Sequence, residues 1–386
     1  MNDKVLNNKV KIKFIKFKKK DAQFFIQFVK DHFRFDSVID QKYKIEHKEN
    51  DILFPLVENK RIVDQLVRMI ESLIPFEIVF KKGIINPNFK YRNLEDALKG
   101  KIPPNFLNLI PRSYDIIGNI AILEFEKPNR INNSKYDEIK KQVAIAVIDV
   151  NKNVLSVYEK GSEIKGSYRL RDLTYLAGEN NTETIHKEND CVFHLDVKST
   201  YFSPRLVYER RRIAESRIQE NEVIVDMFSG VGTFSIQIAK FHPVKIYAFD
   251  LNPNAYSFLK KNIGLNKLLG KIFSYNMNIR DLINPSNQLG KKLYNKIDRI
   301  IMNLPEDSIN FIDIACFLMK KSGGILHFYQ FSEKPKAINK TLNTLKKRLN
   351  GFNWKIERLN DSKVVKSYSP KAELVVVDLF MKYSNS

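Results

Sequence analysis

Apolar and polar positions change their rhythm three times along this chain of 386 residues. Val10 to Phe17 alternates apolar residues with lysine, the period of a strand. Gln23 to Phe33 is aromatic-rich at helical spacing, Asp51 to Val57 reads as a second strand, and Arg61 to Leu73 as an amphipathic helix. These predict a small α/β unit over residues 1–90. A polar stretch with Pro103 and Pro104 separates it from a second region. There the pattern predicts a strand at Ile120–Phe125, a short helix around Tyr136–Gln142, a strand at Val143–Val150, and further strands through Tyr158 and to Arg171. From about Val197 the chain becomes regular β/α alternation. Strands are expected at Val223–Met227, Ile246–Asp250, Lys271–Ser274, Arg299–Met302, Ile325–Phe328, near Val364, and at Leu374–Leu379. Helices separate the first five, but none separates the last two. An antiparallel hairpin closing a parallel sheet is therefore expected, which a dinucleotide-binding sheet lacks. The predicted division is 1–90, 105–196 and 197–386.

Composition narrows the partners. Lys and Arg number 65 against 44 Asp and Glu, a formal charge of +21, which favours a polyanion, nucleic acid before a membrane surface. Lysine crowds the opening at Lys4, Lys9, Lys11, Lys13, Lys16, Lys18, Lys19 and Lys20. Two readings fit: a strand edge protected from aggregation by lysine, or contact with an RNA backbone. The two cysteines, Cys191 and Cys316, have neither disulfide nor zinc spacing, and the histidines show no ligand pattern, so no metal is expected. No apolar run reaches transmembrane length. A soluble, cytoplasmic protein is expected.

The candidate chemistry begins at Val223-Ile224-Val225-Asp226-Met227-Phe228-Ser229-Gly230-Val231-Gly232-Thr233-Phe234. An apolar strand ends in an acid and a Gly-x-Gly turn, then a helix starts: the form of a cofactor cradle at a strand's carboxyl end. Gly230 and Gly232 permit the bend; Asp226 can hold the turn or meet a positively charged ligand. The third glycine of a pyrophosphate-binding turn is absent, since Phe234 and Ser235 follow. About 20 residues on, Asp250 ends the next strand, the usual offset of a ribose-binding carboxylate. Asn252 and Pro253 next to it have the form of a helix cap and first helical residue. After the third strand comes Asn278, where an acid often accepts from an adenine amine; its side-chain carbonyl can do the same. Finally, Asn303-Leu304-Pro305 ends a later strand. There an asparagine can present acceptors to a target N–H, and Pro305 stiffens the loop. The three elements together point to S-adenosylmethionine and methyl transfer to nitrogen.

With those residues in place, the chain from about Pro111 onward resembles the archaeal and eukaryotic-type tRNA (guanine-N1)-methyltransferases that act at position 37. The matches are Ser113 to Gly118, Arg169 to Leu173, Leu176 to Asn180, Thr184 to Asn189, Tyr201 to Leu206, Glu209-Arg210, the Asp226 run, Asn303 to Pro305, and Lys366 to Pro370. The resemblance implies an α/β class I methyltransferase, with a Rossmann-like sheet and terminal antiparallel hairpin, preceded by two smaller α+β domains. It implies that Glu209 removes the N1 proton, that Arg169 stabilises charge on O6, that Asn303 orients the base and that Pro305 shapes the loop. The implied cofactor residues are Tyr201, Arg205, Asp226, Phe228, Gly230, Gly232, Asp250, Leu251, Asn252, Asn278, Ile279 and Asn303. The implied partner is tRNA, through its anticodon loop with G37 and, for the N-terminal unit, its elbow; a monomer and no membrane are implied. Arg205, Arg210, Arg211, Arg212 and Arg217 are candidate phosphate contacts. Two alternatives stay open. One is a second methylation, at C7 of the tricyclic base of wyosine biosynthesis. The other is aminocarboxypropyl transfer, whose enzymes generally lack the Asn-Leu-Pro loop. A pyrimidine C5 mechanism would need a nucleophilic cysteine, and Cys316 is expected inside an apolar helix.

Overall fold

The computed structural model describes residues 11–126, 133–162 and 166–384, so Lys4, Lys9 and Val10 lie outside it. The chain divides into two compact units, one up to Ala97 and one from Leu98 onward.

The first unit is a four-stranded antiparallel sheet in the order Glu46–His47, Asp51–Pro55, Lys11–Lys18, Glu77–Lys82. Helices Lys19–His32 and Lys60–Ile70 bury Phe25, Val29, Val63 and Leu66 against Ile15, Phe17 and Phe54 of the sheet. The lysine-rich strand is not an edge. It pairs with a strand on each side, because its Phe14, Ile15 and Phe17 are core residues while Lys16 and Lys18 pair with Asp51. The lysines there belong to an internal strand's polar positions.

The second unit opens with a four-stranded sheet, ordered Asp115–Ile117, Ile120–Leu123, Ser156–Lys160, Leu173–Gly178. Residues Asn133–Val150 form one 18-residue helix, so the strand expected at Val143–Val150 is helical. The β-branched valines suggest a strand, but Val143, Ala144, Ala146 and Val147 are all buried, a helical rhythm in which tertiary packing overrides propensity. The strands continue beyond Arg171, past the expected limit. A hairpin, Glu183–Glu188 with Cys191–Asp196, turns on Asn189 and Asp190, both at positive φ as a two-residue turn requires. Its Phe193 and Leu195 pack with Phe202, Val231 and Leu259.

The largest sheet has seven strands, numbered here in chain order: β1 (Val223–Asp226), β2 (Lys245–Asp250), β3 (Lys271–Asn276), β4 (Arg299–Met302), β5 (Gly324–Glu333), β6 (Trp354–Ser367) and β7 (Ala372–Tyr383). Their order is β3-β2-β1-β4-β5-β7-β6. β1 to β5 are parallel; β7 enters antiparallel between β5 and β6, as the terminal-hairpin expectation requires. All four residues of β4 are buried, the signature of a central strand covered on both faces. Strand order reverses between β1 and β4. A crevice opens outside the carboxyl ends of strands at such a switch point.

Candidate active site at the carboxyl edge of the sheet

The turn after β1 is built as its composition demands. Gly230 and Gly232 have φ of +55° and +93°, a region glycine enters without Cβ strain. Asp250, at the end of β2, joins the neighbouring loops: one carboxylate oxygen accepts from the Gly230 N–H at 2.7 Å, the other from the Asn252 N–H at 2.9 Å. Burial raises its pKa against those two donors. Asn252 caps helix Pro253–Leu265 through the Asn254 N–H at 3.0 Å, and donates to the Ser199 carbonyl at 2.8 Å. Asn278 caps the turn Ile279–Ile283, its carbonyl accepting from the Arg280 N–H at 3.1 Å. Asp226 is buried and accepts from Ser235 Oγ at 2.7 Å; burial pushes its carboxyl up to about 7. It holds the turn from behind.

Between these loops lies a cavity of about 420 Å³. Nine of the twelve expected cofactor residues line it: Tyr201, Phe228, Gly230, Asp250, Leu251, Asn252, Asn278, Ile279 and Asn303. Asp226, Gly232 and Arg205 do not. Arg205 points elsewhere, its Nε donating to Asp115 at 2.7 Å. Pro305 is also outside the lining. Its carbonyl accepts from the Phe331 N–H at 2.9 Å and ties the loop to β5.

Two groups in the cavity wall have polar atoms that make no hydrogen bond. Asn303 Oδ1 is buried without a donor. Arg169, only 8% exposed, has no hydrogen-bond acceptor at Nε or Nη1, although the Glu306 carboxylate lies 3.0 Å from Nη1 as an ion pair. Its φ is +56°, an unusual conformation for a non-glycine residue, held by a turn from its N–H to the Gly166 carbonyl. The guanidinium sits 5.0 Å from the Tyr201 ring centre. A left-handed backbone and a buried guanidinium whose Nε and Nη1 make no hydrogen bond, with one half-exposed carboxylate as its ion-pair partner, mark Arg169 as built to meet something.

Glu209 does not line the cavity. It lies in helix Val207–Ala214, 3% exposed, with both oxygens engaged. Arg212 donates to it at 2.9 and 3.1 Å, Tyr329 OH at 3.1 Å, and Lys363 Nζ pairs with it at 2.6 Å. Arg212 also binds Asp378, which accepts at 2.8 Å from His327 Nδ1, and Arg299 donates to Nε2 of that histidine at 2.8 Å. Burial pushes the Asp378 carboxyl up, but His327 and Arg212 win and hold it at about 2; His327 is lowered by its burial.

The arginine cluster is not one phosphate-facing surface. Arg210 is 2% exposed and forks onto Glu188, while Arg212 faces Glu209 and Asp378. Helical period turns residues 209, 210, 213 and 214 inward. Cations do gather near Arg169: the Lys366 ammonium is held below its usual range by burial first, then by Arg205, Arg171 and Arg169, against Asp115. Cys316 and Cys191 are buried, their thiols pushed up to about 12 and about 11. Neither is a nucleophile at neutral pH. Sequence reasoning missed Glu306 and Asp307, which line the cavity immediately after Pro305.

A family model of the TRM5/TYW2 methyltransferase domain matches residues 184–357, and one of the TYW2 N-terminal domain matches 94–182. The tRNA (guanine(37)-N(1))-methyltransferase Trm5b of Pyrococcus abyssi is 35% identical over 353 residues, 89% of this chain and 93% of that one. This chain belongs to the Trm5/TYW2 family of methyltransferases. The structure of a complex of aTrm5 and tRNALeu superposes with a TM-score of 0.66 at 31% identity, covering 95% of this chain and 99% of that one. Methanocaldococcus jannaschii TYW2 in complex with AdoMet superposes with a TM-score of 0.52 at 27% identity, covering 70% and 100%. The fold is therefore that of a class I methyltransferase, and S-adenosylmethionine is its cofactor.

The cavity fits that cofactor. Its volume lies in the range of small-ligand sites, roughly 300–1,000 Å³. Gly230 presents backbone where a side chain would intrude, Asp250 offers carboxylate oxygens at the strand end, and Phe228, Leu251 and Ile279 supply apolar wall for a base. Among the described residues, no helix is long and apolar enough to cross a membrane.

Proposed function

We propose that this enzyme transfers a methyl group from S-adenosylmethionine to N1 of guanosine 37 in tRNA. The observation that carries the reading is a pair of buried groups in one cavity whose donor and acceptor atoms make no hydrogen bond. Arg169 offers N–H donors and Asn303 offers an acceptor, each buried and awaiting the polar edge of a base. Neutral guanine holds a proton on N1 and an acceptor at O6. As that proton leaves, charge builds on O6, and a guanidinium fixed there stabilises the transition state more than the ground state. S-adenosylmethionine supplies an electrophilic methyl on a sulfonium centre. Asn303 orients the base edge, and Pro305 anchors its loop to β5. Tyr201 packs under the Arg169 guanidinium and keeps it aimed. Glu209 is the proposed base. It stands beside Arg210, a residue of the cavity lining, and acts by exchanging one of its present donors for the substrate N–H.

A base stacked in the anticodon loop must be turned out to enter such a cavity, at a cost of a few kcal/mol. The +21 charge supplies the phosphate contacts that offset it. The N-terminal unit is proposed to check the tRNA elbow, and the enzyme to act as a cytoplasmic monomer. The test is incubation with methyl-labelled S-adenosylmethionine and an unmodified tRNA carrying G37, followed by digestion to nucleosides. Label in 1-methylguanosine supports the reading; its absence sinks it. Aminocarboxypropyl transfer would instead carry label from the amino-acid portion of the cofactor into RNA. A tRNA with the tricyclic base at position 37 tests for C7 methylation.

A further inference from the structure

We propose that Glu306 is a specificity-determining residue that reads the exocyclic amine of the target guanine, acting as a pair with Arg169; this rests on the guanine reading of the cavity. Of the two acids that follow Pro305, Asp307 serves its own turn, accepting from Asn310 Nδ2 at 2.5 Å. Glu306 instead reaches into the cavity and faces Arg169 Nη1 at 3.0 Å. Two features set this pair apart from an ordinary surface ion pair. Arg169 is buried, its side chain 9% exposed, whereas the Glu306 side chain is 45% exposed and free to swing. Arg169 also keeps Nε and Nη1 without a hydrogen-bonded acceptor, so the carboxylate neighbours the cation without satisfying it. Glu306 therefore holds the place of an acceptor that arrives later.

The Watson–Crick edge of guanine carries an acceptor at O6 and donors at N1 and N2. When O6 takes the Arg169 donors, the released carboxylate stands beside the same edge. Glu209 takes the N1 proton, and the N2 amine carries two N–H donors, so it can meet Glu306 as well as the Asn303 acceptor. The pair then complements guanine from both ends. Adenine reverses the pattern, setting its amine against the Arg169 cation and its N1 lone pair against the carboxylate. Hypoxanthine keeps O6 and N1–H but lacks the amine, so it isolates the Glu306 contact.

The experiment measures kcat/KM for wild type, E306A and E306Q on two tRNAs that differ only in G37 or inosine-37. The ratio is internal to each preparation, so a loss of folded enzyme cancels. Hydrogen bonds to a charged group convert to roughly tenfold to a hundredfold in rate. Wild type should therefore prefer G37 by that margin, E306Q by less, and E306A by under about threefold. A wild-type ratio near one, or an E306A enzyme that retains the wild-type ratio, overturns the assignment of Glu306 alone. Failure of wild type to methylate G37 at all overturns the substrate reading beneath it, and the two failures are distinguishable in the same assay.

Discussion

The two glycines of the β1 turn have the same backbone sign but different surroundings, and alanine at each should fail differently. At Gly232 an added Cβ would lie 2.5 Å from Leu259 Cδ1 and 2.9 Å from Ile236 Cδ1. Both side chains are fully buried in one core cluster, so neither end can retreat without repacking. The left-handed φ costs about 1–2 kcal/mol for a residue with a Cβ, and overpacking a core about 1–3 kcal/mol. Gly232→Ala should therefore lose about 2–5 kcal/mol of stability, a large share of the ~5–15 kcal/mol of a folded domain. At Gly230 the nearest atom to an added Cβ is the Tyr201 carbonyl oxygen, 3.8 Å away. Only the conformational cost applies, about 1–2 kcal/mol, but the methyl stands in the cavity wall where the cofactor binds. Denaturant unfolding measures the first quantity, and isothermal titration with S-adenosylmethionine the second. Gly232→Ala should shift the unfolding midpoint strongly. Gly230→Ala should shift it weakly and weaken cofactor binding by tenfold or more. Equal stability losses at the two positions would refute the packing argument; unaltered cofactor affinity in Gly230→Ala would refute the placement of the turn in the binding wall.

Glu209→Gln should lower the single-turnover methyl-transfer rate by roughly 10²–10⁴-fold while leaving tRNA affinity within about threefold; an unaltered rate would remove Glu209 as the base. Acid should unfold the enzyme in two stages traceable to one network. His327, lowered below its usual 6.5, favours the unfolded state as pH falls beneath that value; Asp378, held at about 2 against 3.8, loses on the order of 2 kcal/mol as pH falls from 3.8 through 2. Asp378→Asn should flatten the lower limb of stability against pH, as followed by circular dichroism. If the positive surface meets phosphates, tRNA affinity should fall linearly in a log–log plot against salt; a flat plot would exclude that mode.

The parts legible from sequence were those whose cause is local. The strand–turn–helix around Gly230 carries its own explanation, since glycine, a strand-end acid and a helix cap each act within a few residues. The terminal hairpin was legible for the same reason: two β-rich runs with no helical period between them. The segment Val143–Val150 was misread because valine and isoleucine suit both structures, and only burial at Val143, Ala144, Ala146 and Val147 decides. Arg210 and Arg212 looked like a surface patch because their acidic partners, Glu188 and Asp378, lie on distant segments. Glu306 carried no signal beyond its place after Pro305. Its meaning depends on Arg169, which reaches the cavity from another part of the chain through a left-handed residue that no pattern of hydrophobic positions announces.

The β6–β7 hairpin has a consequence for synthesis. Lys363 and Asp378 reach the Glu209–Arg212 pair only from these two strands, which leave the ribosome after every other element of the sheet. Until they arrive, β5 is an open edge, and Glu209 faces Arg212 and Tyr329 without its lysine. A nascent chain can thus assemble the glycine turn and the ends of β1, β2 and β4 first, and settle the charge around its proposed base last. Premature termination before β6 would leave a chain with a cofactor cradle and, behind it, a carboxylate missing one of its cations.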